Sequence, residues 1–300
     1  MDITAVSAER FVLAEGPQFN TDDGSVSWVD IEARTIQVAV LNDRRQLEIV
    51  RTITLNDRVG CAFPISGGRF LAGIGSRIGI VDPQGAVDWS RELLGPGRRF
   101  NDGIIDPSGH LIIGSMSLDE RHDENLLLRL ERDGSITTLD DDLKLANGMG
   151  FSPDGGTFYS VDSLAHVIYA RHYNADSGAS GPRTVVARVD DVEPDGMAVD
   201  GGGDIWVALW RGHGIRRFGP DGTHKGDVTV GPPHVTSLCF LGANARFPGA
   251  DRGLAIVTTA SVALTESERQ EYPDAGRLFL AELGVSALPA PRWIEAALPV

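Results

Sequence analysis

The amino-acid sequence predicts an all-β fold, a six-bladed β-propeller, and three observations carry that prediction. A segment made of a polar residue, a short apolar strand, a Gly-rich turn and an apolar return strand occurs six times in the 300 residues. Its copies recur at a spacing typical of propeller blades rather than of shorter solenoid repeats. The intervening runs are short, rich in β-branched and aromatic residues, and bounded by Gly, Asp, Asn and Pro, so nothing requires a long helix.

The clearest copy runs from Glu193 to Trp210: Asp195 at the mouth of a strand, Met197 to Val199 as the strand, Asp200 to Gly203 as the turn, Ile205 to Leu209 as the return. Others begin at Asn147, Asn101 and Glu15, with weaker copies near Val59 and Thr236. Taking Gly24, Gly68, Gly109, Gly155, Gly203 and Gly253 as markers, the intervals are roughly 41 to 50 residues.

Read along the chain, strands are expected at Phe11 to Leu13, Ser27 to Asp30, Ile36 to Leu41, Phe70 to Ile74, Ile78 to Val81 and Leu111 to Ser115. The series continues with Leu126 to Glu131, Thr157 to Val161, Val167 to Tyr173, Ile205 to Leu209 and Ile215 to Phe218. The tetrads Asp82-Pro83-Gln84-Gly85 and Asp106-Pro107-Ser108-Gly109 are turn chemistry, with Pro presetting φ and Gly accepting positive φ. A ring of blades must close to leave no open edge. The Val12-Leu13 region, Arg277 to Leu283 and Trp293 to Ala297 are the segments expected to share the closing sheet.

With 42% hydrophobic and 23% charged residues the chain can bury a core, and no linker-like stretch divides it, so residues 1–300 are expected to form one propeller domain. A net charge of −15 argues against a nucleic-acid partner, which needs a basic face. No apolar run approaches membrane-spanning length, and Met1-Asp2-Ile3-Thr4 lacks the basic and apolar regions of a signal peptide, so a cytoplasmic protein without a membrane partner is expected. Cys61 and Cys239 fall in apolar strands of different repeats and read as small buried hydrophobes rather than a disulfide or metal pair.

The functional argument rests on one repeat position. Four residues before the apolar residue that ends each first strand stand Glu15, Val59, Asn101, Asn147, Asp195 and Thr236. The innermost strand of a propeller blade lines the central channel, so these residues share one level around one axis. Two carboxylates and two carboxamides there, with no Cys or His, make a hard oxygen site suited to a divalent cation at one end of the channel.

These residues carry a resemblance. In Leu13-Ala14-Glu15-Gly16-Pro17, Arg99-Phe100-Asn101-Asp102-Gly103, Asn147-Gly148 followed by Tyr159-Ser160-Val161-Asp162-Ser163, and Pro194-Asp195-Gly196-Met197-Ala198-Val199-Asp200, the chain resembles the senescence marker protein, gluconolactonase and regucalcin-like family of six-bladed propellers. The resemblance implies Glu15, Asn147 and Asp195 as ligands of one divalent metal, Ca²⁺ foremost, with Mg²⁺, Mn²⁺, Zn²⁺ or Fe²⁺ as alternatives. It implies Arg99 and Asn101 as substrate-binding residues. The loop Ser117 to Asn125 is shorter than the family's, and Asp119 and Glu120 are the candidates for the family's substrate-contacting carboxylate.

The chemistry implied is hydrolysis of a sugar lactone, such as gluconolactone, to its aldonic acid. The metal would polarise the carbonyl and activate the attacking water, with Asp195 as the candidate catalytic residue, either as general base or as the proton shuttle for a metal-bound hydroxide. No Gly-x-Ser-x-Gly elbow, Walker loop or Cys-x-x-Cys occurs, and Gly73 to Gly79 reads as a hairpin rather than a dinucleotide fingerprint. His122, His213 and His234 follow strand ends and read as surface-loop residues. Two other readings stand beside the lactonase: an organophosphate or other ester hydrolase on the same scaffold, and a non-catalytic calcium-binding or interaction propeller.

Overall fold

The computed structural model describes residues 2–119, 124–242 and 253–300; Glu120 and His122 lie outside them. The chain opens with β1 (Ile3–Ala5). A sheet of β2 (Ala14–Phe19), β3 (Ser25–Asp30), β4 (Thr35–Leu41) and β5 (Leu47–Thr54) follows. The next is β6 (Val59–Pro64), β7 (Phe70–Ile74), β8 (Arg77–Val81) and β9 (Val87–Trp89). Then come β10 (Arg98–Ile105), β11 (Leu111–Ser117), β12 (Asn125–Leu130) and β13 (Ile136–Leu143), and β14 (Ala146–Phe151), β15 (Thr157–Asp162), β16 (Val167–His172) and β17 (Thr184–Arg188).

The last sheet has eight strands: β18 (Glu193–Val199), β19 (Ile205–Trp210), β20 (Gly214–Phe218), β21 (His224–Thr229), β22 (His234–Phe240), β23 (Leu254–Ala260), β24 (Phe279–Glu282) and β1. A single pairing, Trp210 with His234, joins its two halves. Helix α1 (Glu266–Glu271) starts at a capping box between Thr265 and Glu268. No helix among the described residues is long and apolar enough to cross a membrane.

The architecture is propeller-like and all-β. The innermost strands β2, β6, β10, β14, β18 and β22 lie against one another in a closed ring. Apolar clusters fill the gaps between neighbouring sheets. Val29, Ile36 and Val81 pack the first sheet on the second, Phe63, Phe100 and Ile113 the second on the third, and Ile112, Met149 and Phe158 the third on the fourth. Val161, Ile168 and Val207 pack the fourth on β18 to β21, Trp206, Leu238 and Val257 join the halves of the eight-stranded sheet, and Trp28, Ile256 and Leu280 close its far half on the first sheet. Strands near the axis are therefore covered on both faces: all six residues of β3 are buried, whereas outer strand β5 alternates more buried and exposed positions.

Of the expected strands, Phe11 to Leu13 is corrected. The first inner strand begins at Ala14, because the amides of Val12 and Leu13 donate instead to the Asp30 carboxylate (2.8 and 3.1 Å), leaving Leu13 only an isolated bridge to Ala260. Closure is corrected too. Ile3 to Ala5, rather than Val12-Leu13, pairs with Phe279 to Ala281, and Trp293 to Ala297 form no strand. That last segment belongs to a C-terminal strap crossing one face, held by Gly201 N donating to Ser286 O (2.7 Å), Ile294 N to Gly109 O (2.9 Å) and Arg91 N to Pro299 O (2.8 Å). Both cysteines are free, Cys61 buried and Cys239 half-buried, and burial pushes the Cys239 thiol up to about 12. Gly73 to Gly79 is a hairpin, β7 turning into β8 at Gly75 with φ 53°.

His234 is corrected: it is fully buried, stacked on Trp210 at 3.9 Å, and is not a surface-loop residue. His213 is half-buried, with Nδ1 3.0 Å from the carbonyl of Gly231.

Candidate active site

Each inner strand breaks register with its partner at the same place. The irregularities fall between Glu15 and Gln18, Val59 and Cys61, Phe100 and Gly103, Asn147 and Met149, Pro194 and Met197, and Val235 and Ser237. A β-bulge leaves a residue out of the ladder and re-aims its side chain. The repeat position singled out in the sequence thus stands at the bulge of every inner strand: Asn101, Asp195 and Thr236 fall inside it, whereas Glu15, Val59 and Asn147 are the last paired residues before it.

Asn147 and Asp195 are each 6 % exposed and meet directly, Asn147 Nδ2 donating to Asp195 Oδ1 and also to Ser163 Oγ (3.1 Å). Glu15 is half-buried, and its Oε2 accepts from the amide of Gly16 (3.1 Å). Burial, then the charges of Asp195 and Asp102, push the Glu15 carboxyl well above the usual carboxylate range, against the pull of the Gly16 amide and Arg99. Asp195 is likewise raised by burial and by Asp102 and Glu193, with the Asn147 hydrogen bond opposing. Two desolvated carboxylates facing each other carry a charge that the protein leaves largely uncompensated.

Arg99 and Asn101, each 8 % exposed, form a second pair: Arg99 Nη1 donates to Asn101 Oδ1 (2.8 Å) and Phe100 O (2.9 Å), and Asn101 Nδ2 donates to Ala146 O (3.1 Å). Burial lowers the Arg99 pKa to about 10, a value at which the guanidinium is still charged near neutrality. Val59 is an apolar break in the ring, and the Thr236 hydroxyl is spent on Ala14 O (2.6 Å), tying the last inner strand to the first. Asp119 is exposed in the turn after β11, whose Met116 pairs with Arg99, so it lies at the same end of the sheet as the Arg99–Asn101 pair.

Three residues escaped the sequence reading. Asp30 and Asp162 close the second strands of their sheets and turn back to grip the residues leading into Glu15 and Asn147. Asp30 accepts from Val12 and Leu13, Asp162 from Lys144 and Leu145 (both 3.0 Å). Their common place in the repeat was a readable signal. Asp102 sits one residue past the ring position, where neighbouring repeats carry Gly16, Gly60, Gly148 and Gly196.

The side chains of Glu15, Asn147 and Asp195 fit a hard divalent cation. They offer oxygen donors, two negative charges whose raised pKa values a cation would reverse, and a carboxamide that a half-turn would present through Oδ1.

The description SMP-30/Gluconolactonase/LRE-like region matches residues 13–248. Regucalcin of Danio rerio is 30% identical over 301 residues, covering 96% of each chain. Pentonolactonase XacC of Haloferax volcanii is 30% identical over 302 residues, covering 96% of this chain and 97% of its own. The solved structure of regucalcin, a calcium-binding protein of Agrobacterium tumefaciens, superposes with a TM-score of 0.86 at 26% identity, covering 96% of this chain and 95% of that one. With most of its length matched by the family description, this chain belongs to the SMP-30/gluconolactonase/LRE-like family.

Proposed function

We propose that the chain is a sugar lactonase: a single six-bladed propeller, the eight-stranded sheet counting as two blades, that opens an aldonolactone to its aldonic acid with a divalent cation at Glu15, Asn147 and Asp195. The observation that carries this reading is the direct contact of Asn147 with Asp195, with the Glu15 carboxyl near enough to be raised by the Asp195 charge, beside the Arg99–Asn101 pair on β10, which packs against β14. The family's relatives include one named a pentonolactonase and one titled calcium-binding.

A cation bound there, Ca²⁺ foremost, supplies positive charge that polarises the lactone carbonyl and acidifies water. The chain's own groups do the rest. Arg99 directs its guanidinium fork, and Asn101 its carboxamide, at the hydroxyls and ring oxygen of the sugar, fixing which face of the carbonyl meets the water. Asp195 takes the proton from the attacking water as its oxygen bonds to the carbonyl carbon. The ring C–O bond then breaks, and the leaving oxygen recovers a proton as the hydroxyl of the open acid. The raised pKa of Asp195 in the metal-free site fits a proton acceptor that the cation tunes downward. Asp119, exposed on the loop at that end, is the further sugar contact in this reading.

The test is hydrolysis of glucono-, galactono-, xylono- and arabinonolactone by chelator-stripped protein with divalent ions returned singly. Turnover that appears with one ion and is lost in Asp195→Ala is the expected result. Folded protein that opens none of them with any ion, while turning over a phosphotriester or simple ester, would overturn it.

A further inference from the structure

Past the ring of polar residues the channel widens into a cavity of about 490 Å³, within the range of small-molecule sites. Its walls are the far halves of the inner strands, with Phe19, Phe63, Phe151 and Phe240 around it and Met149 and Met197 nearer the ring. Residues 288–291 of the C-terminal strap cross its outer mouth. Asp102 also lines it: a half-buried carboxylate whose open surface faces the cavity, next to the residues that line the opposite end of the channel.

We propose that this chamber binds a small organic ammonium ion, its charge held by the Asp102 carboxylate and its hydrocarbon body by the apolar wall. Asp102 occupies the place that is glycine in four other repeats and Ser237 in the sixth, so only one inner strand sends a charge inward at this level. Its Oδ1 accepts a single bond, from the amide of Gly103 at 2.7 Å, and Oδ2 accepts none among the described residues. The nearby guanidinium of Arg99 donates to Phe100 O and Asn101 Oδ1 instead. At the rim, by contrast, Asp154 is satisfied by Ser152 Oγ and the amide of Gly156. A carboxylate face turned toward an apolar chamber is poorly solvated on that side. One carboxylate among phenyl rings is too few oxygens for a bare metal ion. It suits a cation that carries its own apolar surface, since aromatic faces attract such charges.

The probe is benzyltrimethylammonium, titrated into calcium-saturated protein carrying ¹³C-methyl methionine and followed by NMR and calorimetry. One saturable site is expected, with the Met149 and Met197 methyls shifting and Met116, on β11, unmoved. Asp102→Asn is expected to weaken binding by about tenfold or more, and the uncharged isostere neopentylbenzene to bind the wild-type protein about tenfold more weakly. The isostere comparison needs no variant, so the proposal stays testable if Asp102→Asn fails to fold. Equal affinity for the isostere, unmoved Met149 and Met197 signals at saturation, or displacement of the probe in proportion to added calcium would each overturn it. The lactonase reading is separate, because the probe enters from the mouth opposite the polar ring.

Discussion

A Cβ on Gly148 would stand 2.5 Å from the carbonyl oxygen of Asp195 and 2.6 Å from the nitrogen of Met197. The residue following one ring position thus rests on the backbone of the next, and this close approach brings Asn147 and Asp195 into hydrogen-bonding contact. Both obstacles are backbone atoms that cannot rotate aside. Gly148→Ala is therefore expected to cost about 1–3 kcal/mol in urea unfolding and to weaken calcium binding by separating Asn147 from Asp195. Gly16→Ala is the contrast: φ is +51° and nothing lies within 4 Å of the added carbon, so only left-handed strain remains, about 1–2 kcal/mol. Loss of calcium affinity of equal size in both variants would show that the close approach at Gly148 is not what sets the pair.

Burial of Glu15 and Asp195, reinforced at Glu15 by the Asp195 charge, gives the metal-free protein a pH dependence whose sign can be measured. Both pKa values are raised in the fold, so the carboxyls are held more easily protonated than in the unfolded chain. Stability from these groups is then complete at low pH and is lost as pH rises through their folded values. Glu15→Gln removes one of the two charges, so the chelator-stripped variant is expected to be as stable as the wild type near neutrality or more so. Calcium should add about 2.7 kcal/mol to the wild type at a hundredfold excess over Kd and nearly nothing to Glu15→Gln. Thermal melts with and without the ion decide it; an unchanged calcium shift in the variant would remove Glu15 from the site.

How much of this was legible in the sequence depended on where each residue stood relative to the axis. Middle strands such as β7 and β19 are buried on both faces, so they read as apolar runs between turn residues. Outer strands were missed. β13 carries Asp140, Asp141 and Asp142, and β21 reads His-Lys-Gly-Asp, because one face is solvated and polar side chains cost nothing there. Glu15, Asn147 and Asp195 could be aligned because the repeat keeps them at one offset. The bulge that aims them could not, since it is a property of the pairing and leaves no mark in composition. Asp102 was visible in the Asn-Asp-Gly run but drew no role of its own, and only the chamber beside it gives it one. His234 misled for a related reason: a histidine after a strand end looks like loop, yet Trp210 of the neighbouring half-sheet covers it.

A buried polar knot ties the third sheet to the fourth. Asp106, with no exposed surface, accepts from Tyr173 OH (2.8 Å) and from the amides of Ser108 and His110 (both 2.9 Å), and lies 3.3 Å from Arg129 Nη2. Arg129 also donates to His110 Nδ1 (2.8 Å) and to Ala175 O (3.1 Å). Asp106→Asn would leave a fully enclosed guanidinium without its nearest counter-charge, and a loss of about 3–5 kcal/mol is expected in chemical denaturation. Adding Arg129→Met should recover part of that loss, because the stranded charge goes with it. Strictly additive costs in the double variant would mean that the two groups are not coupled.

His234 supplies a pH dependence of the opposite sign to the ring carboxylates. It has no exposed surface, its ring lies parallel to Trp210, and neither ring nitrogen makes a well-formed hydrogen bond among the described residues. Burial, then Arg211 and more weakly His213, push its pKa down to about 4, while the Val262 backbone and Glu268 pull the other way. The unfolded chain, with an ordinary histidine near 6.5, binds the proton first as pH falls. Stability from this residue is therefore whole above about pH 6.5 and drains toward pH 4, at a limiting slope of about 1.4 kcal/mol per pH unit. Asp102, whose carboxyl burial raises to about 6, acts in the reverse sense over the same window, so the wild-type curve alone would hide both. The difference between wild type and His234→Phe, which keeps an aromatic ring against Trp210, isolates the histidine. From about pH 8 to about pH 5 that difference is expected to move by roughly 2 kcal/mol in favour of the variant. Unfolding free energies measured across the range that run parallel for the two proteins would mean that His234 is protonated within the fold as readily as outside it.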